Sequence, residues 1–405
     1  MVIGALMQSV SVPVDSKCGS AASNQRKTTQ FWHHSMRVCT IIELAMQPRE
    51  RFLKALNHQP TDRVPMYVSV TPQIAAELAK DLGVETEPVL CRMSARLSHA
   101  EVLTLLGNDA IAVRPTWPVS VQERWKKGIL VDDFGFSFRP IGYYAEIVER
   151  PLSWANTRDD VDRFKPPDLN DPAIWEWAQT QVSLYKDQFA IMGNLETTIF
   201  ELSWNLVGLE KFLMDLYEEK EYVSALLDKI QAYSLQCGLK MIEMGVDVIW
   251  TGDDFGTQTG MLISPDLWRS VFKPRMARLF RAFKEANPQV KIAYHSDGAI
   301  RPIIPDLIEI GMDVLNPIQP MARGMDLGEL KSEYGDVLAF FGGVDEQQVL
   351  PFGDVTRVQQ EVRLRIDQAS ANGGFVIAPA HNMQPDTPLQ NVYAFFDTVK
   401  SYRPC

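Results

Sequence analysis

From Val64 onward, short apolar runs recur along the chain, each followed by polar residues and then by a stretch with helical period. The runs are VPMYVSV, DAIAVRP, FAIMGNL, VDVIWTGDD, VKIAYHSDG, MDVLNPIQ, VLAFFGGVD and GFVIAPAHN, beginning near Val64, Asp109, Phe189, Val246, Val290, Met312, Val337 and Gly374. Continuous apolar runs alternating with amphipathic stretches predict an α/β fold with a parallel sheet buried on both faces. Eight such units are the number that closes a (β/α)₈ barrel of the TIM type.

Boundary residues support the alternation. Ser264-Pro265 and Thr387-Pro388 read as an N-cap followed by proline at the first helical position, and Gly245, Gly311 and Gly373-Gly374 stand where helices should stop. Between the second and third strands, residues 116–188 are too long for one crossover. They read as an insertion with a β-hairpin in GILVDDFGFSFRPIGYYAEIVERPL, laid over one mouth of the barrel, and a proline-stiffened loop in FKPPDLNDP. The barrel is expected to occupy residues 46–405.

Residues 1–45 differ from the rest. They are rich in Ser, Thr and Gln, and carry Lys17, Arg26, Lys27 and Arg37 against Asp15 and Glu43. This is the composition of a disordered extension, read either as a transit-type segment or as sequence upstream of a natural start at Met46.

A net charge of -11 leaves no basic footprint for nucleic acid. Five cysteines without a CxxC fit a reducing, cytoplasmic setting better than a disulfide scaffold, and no apolar run is long enough to span a membrane.

In a barrel of this kind, chemistry sits at the C-terminal ends of the strands. There the chain places Asn194 and Glu196, Asp253 and Asp254 with Gln258 in the loop beyond, His295 and Asp297, Asn316 and Gln319, Asp345, and His381 with Asn382. His295 and Asp297 lie two apart on extended chain and face the same way, so they can hold one metal ion or one substrate together; the alternative is a satisfied polar turn. Asp253 and Asp254 are candidate acid/base groups, one of them structural because neighbours on a strand point oppositely. Glu196, Gln258, Asn316, Gln319 and Asp345 are candidate substrate contacts, with Asn316 and Gln319 equally able to satisfy loop backbone. The spacings of a phosphate loop and of GxSxG are absent.

The segments RERFLKALNHQPTDRVP, GDDFGTQTGMLISPDLWRSVFKPRMARLF, YHSDGAIRPIIPDLIEIGMDVLNPIQP, FFGGVDEQQVLP and GGFVIAPAHNMQPDTPLQN resemble the uroporphyrinogen decarboxylase superfamily, which also holds zinc-dependent, corrinoid-linked methyltransferases. The resemblance implies the same (β/α)₈ fold. Porphyrinogen decarboxylases carry an arginine-rich segment after the first strand for the carboxylates of their substrate; here VSVTPQIAAELAKDLG has no arginine. The methyltransferases bind zinc through a His-x-Cys pair and a further Cys, positions that match His295, Asp297 and His381. The resemblance therefore implies a His-Asp-His site for zinc or another divalent metal, whose oxygen and nitrogen donors suit polarising an ether or hydroxyl oxygen. The reading is a methyltransferase or demethylase acting with a corrinoid partner protein on a small methoxyl-type substrate. The alternatives are a metal-independent decarboxylase or lyase on a small acid, and a non-catalytic binding protein.

Overall fold

The computed structural model describes residues 46–86, 99–141 and 144–404, which belong to one compact unit spanning Ala45–Cys405. The expected extension over residues 1–45 lies outside the described residues.

Seven strands form one parallel sheet: β1 (Ala110–Val113), β4 (Ala190–Asn194), β5 (Val248–Gly252), β6 (Lys291–His295), β7 (Val314–Ile318), β8 (Ala339–Val344) and β9 (Phe375–Pro379). Each pairs with the next in chain order, so the sheet curls steadily in one direction. β2 (Ser137–Ile141) and β3 (Tyr144–Glu149) form the antiparallel hairpin expected between β1 and β4.

The first expected strand, from Val64, is not a regular ladder. It makes two isolated parallel bridges, Met66 with Ile377 and Val70 with Met383. On its other side Asp109 N–H donates to Met66 O at 2.9 Å, but the next bonds come from side chains. Asn108 accepts from Val68 N–H and donates to Val68 O, both at 2.9 Å, while Asp109 Oδ2 accepts from Met66 N–H at 2.8 Å. The segment thus spans both edges of the curled sheet, with asparagine and aspartate side chains standing where a ladder would use main chain.

Side-chain alternation divides the apolar residues into two layers. Outward residues pack under the helices. Inward residues are small, with Ala110, Ala112, Ala190, Ala293, Ala339 and Ala378 on the inner face, and the space they leave is filled by Phe341, Tyr67 and Phe52. Phe52 comes from the helix Pro48–Leu56 and meets Phe341 edge-on at 6.2 Å between centroids.

The acids at the starts of three strands are held alike. Asp109, Asp247 and Asp313 each accept a main-chain N–H from the preceding segment of the sheet, from Met66, Ile191 and Ile292 respectively. Each also has a cation: Arg51 and Arg63 on Asp109, Arg49 on Asp247, and Lys284 on Asp313. The RERFLKALNHQPTDRVP motif is explained by this, since Arg49, Arg51, Asp62 and Arg63 all belong to it.

Candidate functional site at the C-terminal strand ends

The alternation that buries Ala293 and Val314 on the inner face carries His295 and Asn316 there as well, two residues further on. They are directly paired in the β6–β7 register. Asn316 Nδ2 donates to Phe341 O at 3.2 Å, which turns its Oδ1 toward His295 Nδ1 at 2.6 Å. That oxygen can only accept, so Nδ1 carries a proton, and in the neutral ring Nε2 is the nitrogen with the lone pair.

His295 Nε2 lies 3.7 Å from Asp254 Oδ1 and 3.7 Å from Asp297 Oδ1. Donor atoms of the three residues all fall within 4.8 Å of one another. The loops that bring them together are in backbone contact: Asp297 N–H donates to Asp254 Oδ1 at 2.8 Å, and a Cβ on Gly298 would sit 2.6 Å from Gly256 C. Gly298 also has a φ of +80°, so glycine is required there on both counts. Ser296, pointing away from the site, is fully buried and accepts from Phe255 N–H at 3.1 Å, which ties the two loops together.

Asp253 turns the opposite way from Asp254. It is fully buried and accepts from the main-chain N–H groups of Thr198, Ile199 and Glu201 and from Thr198 Oγ1. It therefore anchors the start of the helix Phe200–Val207 and does not face a cleft. Of the paired acids, Asp254 is the one available for chemistry.

A cleft lies beside this cluster, sharing His295 with it. Tyr67, Trp250 and Phe341 form one wall, with Phe341 edge-on to the other two at 5.8 and 5.0 Å between centroids. Asn194, Glu196, Asn316, His381 and Asn382 supply polar groups. His381 lines the cleft but stands outside the three-residue donor cluster; its Nδ1 is 4.0 Å from Glu346 Oε2. Of the expected His-Asp-His set, His295 and Asp297 lie in the donor cluster together with Asp254, and His381 lines the adjoining cleft.

Three expected substrate contacts lie elsewhere. Gln258, Gln319 and Asp345 line a separate small cavity of about 210 Å³. Gln319 Oε1 accepts from Gly298 N–H at 2.8 Å, Asp345 Oδ1 accepts from Gln347 and Gln348 N–H at 2.7 and 3.0 Å, and Gln258 is exposed. Gln319 and Asp345 serve loop backbone, and neither lines the main cleft. Glu196 and Asn316 do line it.

A family model for uroporphyrinogen decarboxylase (URO-D) matches residues 147–402. The chain belongs to the uroporphyrinogen decarboxylase family. Similar members include a uroporphyrinogen decarboxylase from Pelodictyon phaeoclathratiforme, 21% identical with 88% of this chain and 98% of that enzyme covered. They also include the methylcobamide:CoM methyltransferase MtaA of Methanosarcina barkeri, 23% identical with 87% and 98% covered. Among solved structures, a methyltransferase from Methanosarcina mazei superposes with a TM-score of 0.65 at 21% identity, covering 88% of this chain and 98% of that one. The URO-D family thus includes relatives of both chemistries at nearly equal distance, and the fold is shared with a methyltransferase.

Two residues of this URO-D family site escaped the strand-end reading. Arg114, directly after β1, is buried and its Nη1 donates to Glu196 Oε2 at 2.9 Å. Its signal is present in DAIAVRP, where a lone arginine ends an apolar run. Glu201 lies in the first turn of its helix, and burial, then the charges of Asp254, Asp253 and Glu196, hold its carboxyl well above the usual carboxylate range. Nothing local in the sequence marks it, because its neighbours in space come from other strands.

Proposed function

We propose that this protein is a metal-dependent methyltransferase or demethylase that works with a corrinoid carried on a partner protein and acts on a small methoxyl-type substrate. The observation that carries the reading is the convergence of His295 Nε2, Asp254 Oδ1 and Asp297 Oδ1, with the histidine tautomer fixed by Asn316. A neutral imidazole whose far nitrogen is held by a hydrogen bond is the arrangement metal-ligating histidines adopt. Two carboxylates beside it favour a divalent cation, with zinc as the first candidate.

The donor set fits such an ion. Glu196, Glu201, Asp253, Asp254 and Asp297 crowd the ends of β4 to β6, and a cation at His295 would offset their mutual repulsion. His295, Asp254 and Asp297 would hold it, and when bound it supplies a Lewis acid that polarises an ether or hydroxyl oxygen. The chain's other residues bind and orient. Tyr67, Trp250 and Phe341 cover the apolar body of the substrate and exclude water, Asn194 offers a side-chain amide, and Glu201, with its raised affinity for a proton, holds one beside Asp254.

The test is metal analysis of the purified full chain, alongside methyl transfer from methoxylated compounds to cob(I)alamin followed by absorbance. About one divalent metal per chain is expected, lost in His295→Ala together with at least about 100-fold of the transfer rate. A metal-free protein that decarboxylates a small acid at full rate in the His295→Ala variant would replace this reading with the lyase one.

A further inference from the structure

Asn194 lines two cavities, the main cleft and a small side chamber. Arg114 lines the chamber and Glu196 the cleft, so the ion pair between them stands in the partition. The Arg114 side chain is 4% exposed. Among the described residues its one hydrogen bond is Nη1 to Glu196. A guanidinium carries five N–H donors, and burying most of them without partners is costly. None of its nitrogens is a buried orphan, and Arg114 lines the chamber, so the edge not held by Glu196 opens onto it. Asn194 Oδ1, by contrast, is buried and has no partner.

Charge sharpens the assignment. Among the described residues lining the cleft or the chamber, Arg114 is the one arginine or lysine. Glu196, Glu201, Asp254 and Asp297 gather on the β4 to β6 side, and Glu346 stands by His381 after β8. An anionic group entering this site is repelled at the acidic end and attracted at the arginine.

We infer that Arg114 is an anion subsite: the chamber takes a carboxylate of the substrate on the free edge of the guanidinium, while Asn194 accepts a hydrogen bond from a donor on the substrate at the partition. The substrate is then a carboxylate-bearing molecule with an apolar, flat body. Its acid end is at Arg114, its body lies on Tyr67, Trp250 and Phe341, and its reacting oxygen is toward His295. The cation comes from the end of β1, whereas the helix Pro72–Leu82, in the segment where porphyrinogen decarboxylases carry arginines, has none. The inference deepens the proposed function by naming its substrate class, yet the subsite itself does not need the metal.

The experiment compares benzoate with benzamide, a charged and a neutral probe of the same shape, by calorimetry on the purified full chain. Benzoate should bind about tenfold or more tightly than benzamide, the effect of one charge-assisted pair. Arg114→Gln should erase the preference. Because that variant takes the Arg114 cation from Glu196, Arg114→Gln combined with Glu196→Gln provides a charge-balanced protein in which the preference should also be gone. Glu196→Gln alone should strengthen benzoate binding by removing the competing carboxylate. The preference should persist in His295→Ala, which separates it from benzoate binding to a metal and from failure of the metal reading. Equal or absent binding of the two probes to the wild type, or a preference that survives in the double variant, would overturn the subsite.

Discussion

The two ends of the strands carry acids in opposite states. At the N-terminal ends, Asp109, Asp247 and Asp313 each have a basic partner and a main-chain N–H, and Asp109 has two arginines. At the C-terminal ends, Glu196, Glu201, Asp253, Asp254 and Asp297 gather, and among the described residues lining the cavities there Arg114 is the one arginine or lysine, beside a histidine whose Nδ1 faces Asn316. Charge that is neutralised on folding fixes the fold; charge left in excess is available to a ligand. The division matches the general rule that the N-terminal face of a barrel-type sheet serves stability and the C-terminal face serves chemistry.

The largest expected effect tests the first half. Asp109→Ala removes a fully buried carboxylate, strands Arg63 and leaves Arg51 with Asp62 alone of its two carboxylates, the two arginine side chains being 11% and 6% exposed. Breaking one side of a buried charge pair costs about 3–5 kcal/mol, which should appear as a matching loss in urea unfolding. If the variant unfolds within about 1 kcal/mol of wild type, the network is not what holds Val64–Val70 against β1.

Asn316→Ala tests the other end at smaller magnitude. It takes away the acceptor that orients His295, so the ring can turn and expose either nitrogen. Outer-shell changes of this kind cost about 10–100-fold in metal affinity, readable as a shifted midpoint in chelator competition at neutral pH. Unchanged affinity would mean that His295 does not ligate through Nε2, or does not ligate at all.

The N-terminal face was legible in the chain because its device repeats locally. Gly107-Asn108-Asp109, Gly245-Val246-Asp247 and Gly311-Met312-Asp313 each end a helix with a glycine of positive φ and open a strand with the acid. All seven ladder strands begin within two residues of the start of the apolar run that marked them. The eighth run failed as a ladder because the side chains of Asn108 and Asp109 took its bonds, which no periodicity encodes. At the other face, alternation identified His295, and neighbouring-residue logic said that one of Asp253 and Asp254 is structural. What it lacked was distance between loops. His381 and Asp254 are both strand-end residues, and it is the contact of Gly256 with Gly298 that brings Asp254 into the donor cluster with His295. Glu201 was invisible for the same reason, since it matters through partners far away in sequence, whereas the lone arginine ending DAIAVRP was there to be read.

Asp132 sharpens the comparison at the smallest scale, because it is a buried acid like Asp109 but without arginines. It is 3% exposed, and its Oδ1 accepts from Phe136 N–H at 2.9 Å. Its Oδ2 is buried with no partner. Burial pushes its pKa up to about 7 against the lowering effect of the main-chain donors, with Asp133 adding repulsion. A carboxyl whose folded value is raised binds more protons folded than unfolded between pH 3.8 and about 7. Its contribution is therefore most favourable below pH 3.8, and stability falls as pH rises through that window, reaching its full penalty above about 7. Asp132→Asn keeps the shape and an acceptor for Phe136 while removing the titration. The variant should lose that component of the pH slope in denaturant unfolding between pH 5 and 7.5 and gain on wild type at the upper end. Superimposable slopes for the two proteins would show that Asp132 is ionised when folded, and that main-chain donors alone can do for an acid in this fold what arginines do for Asp109.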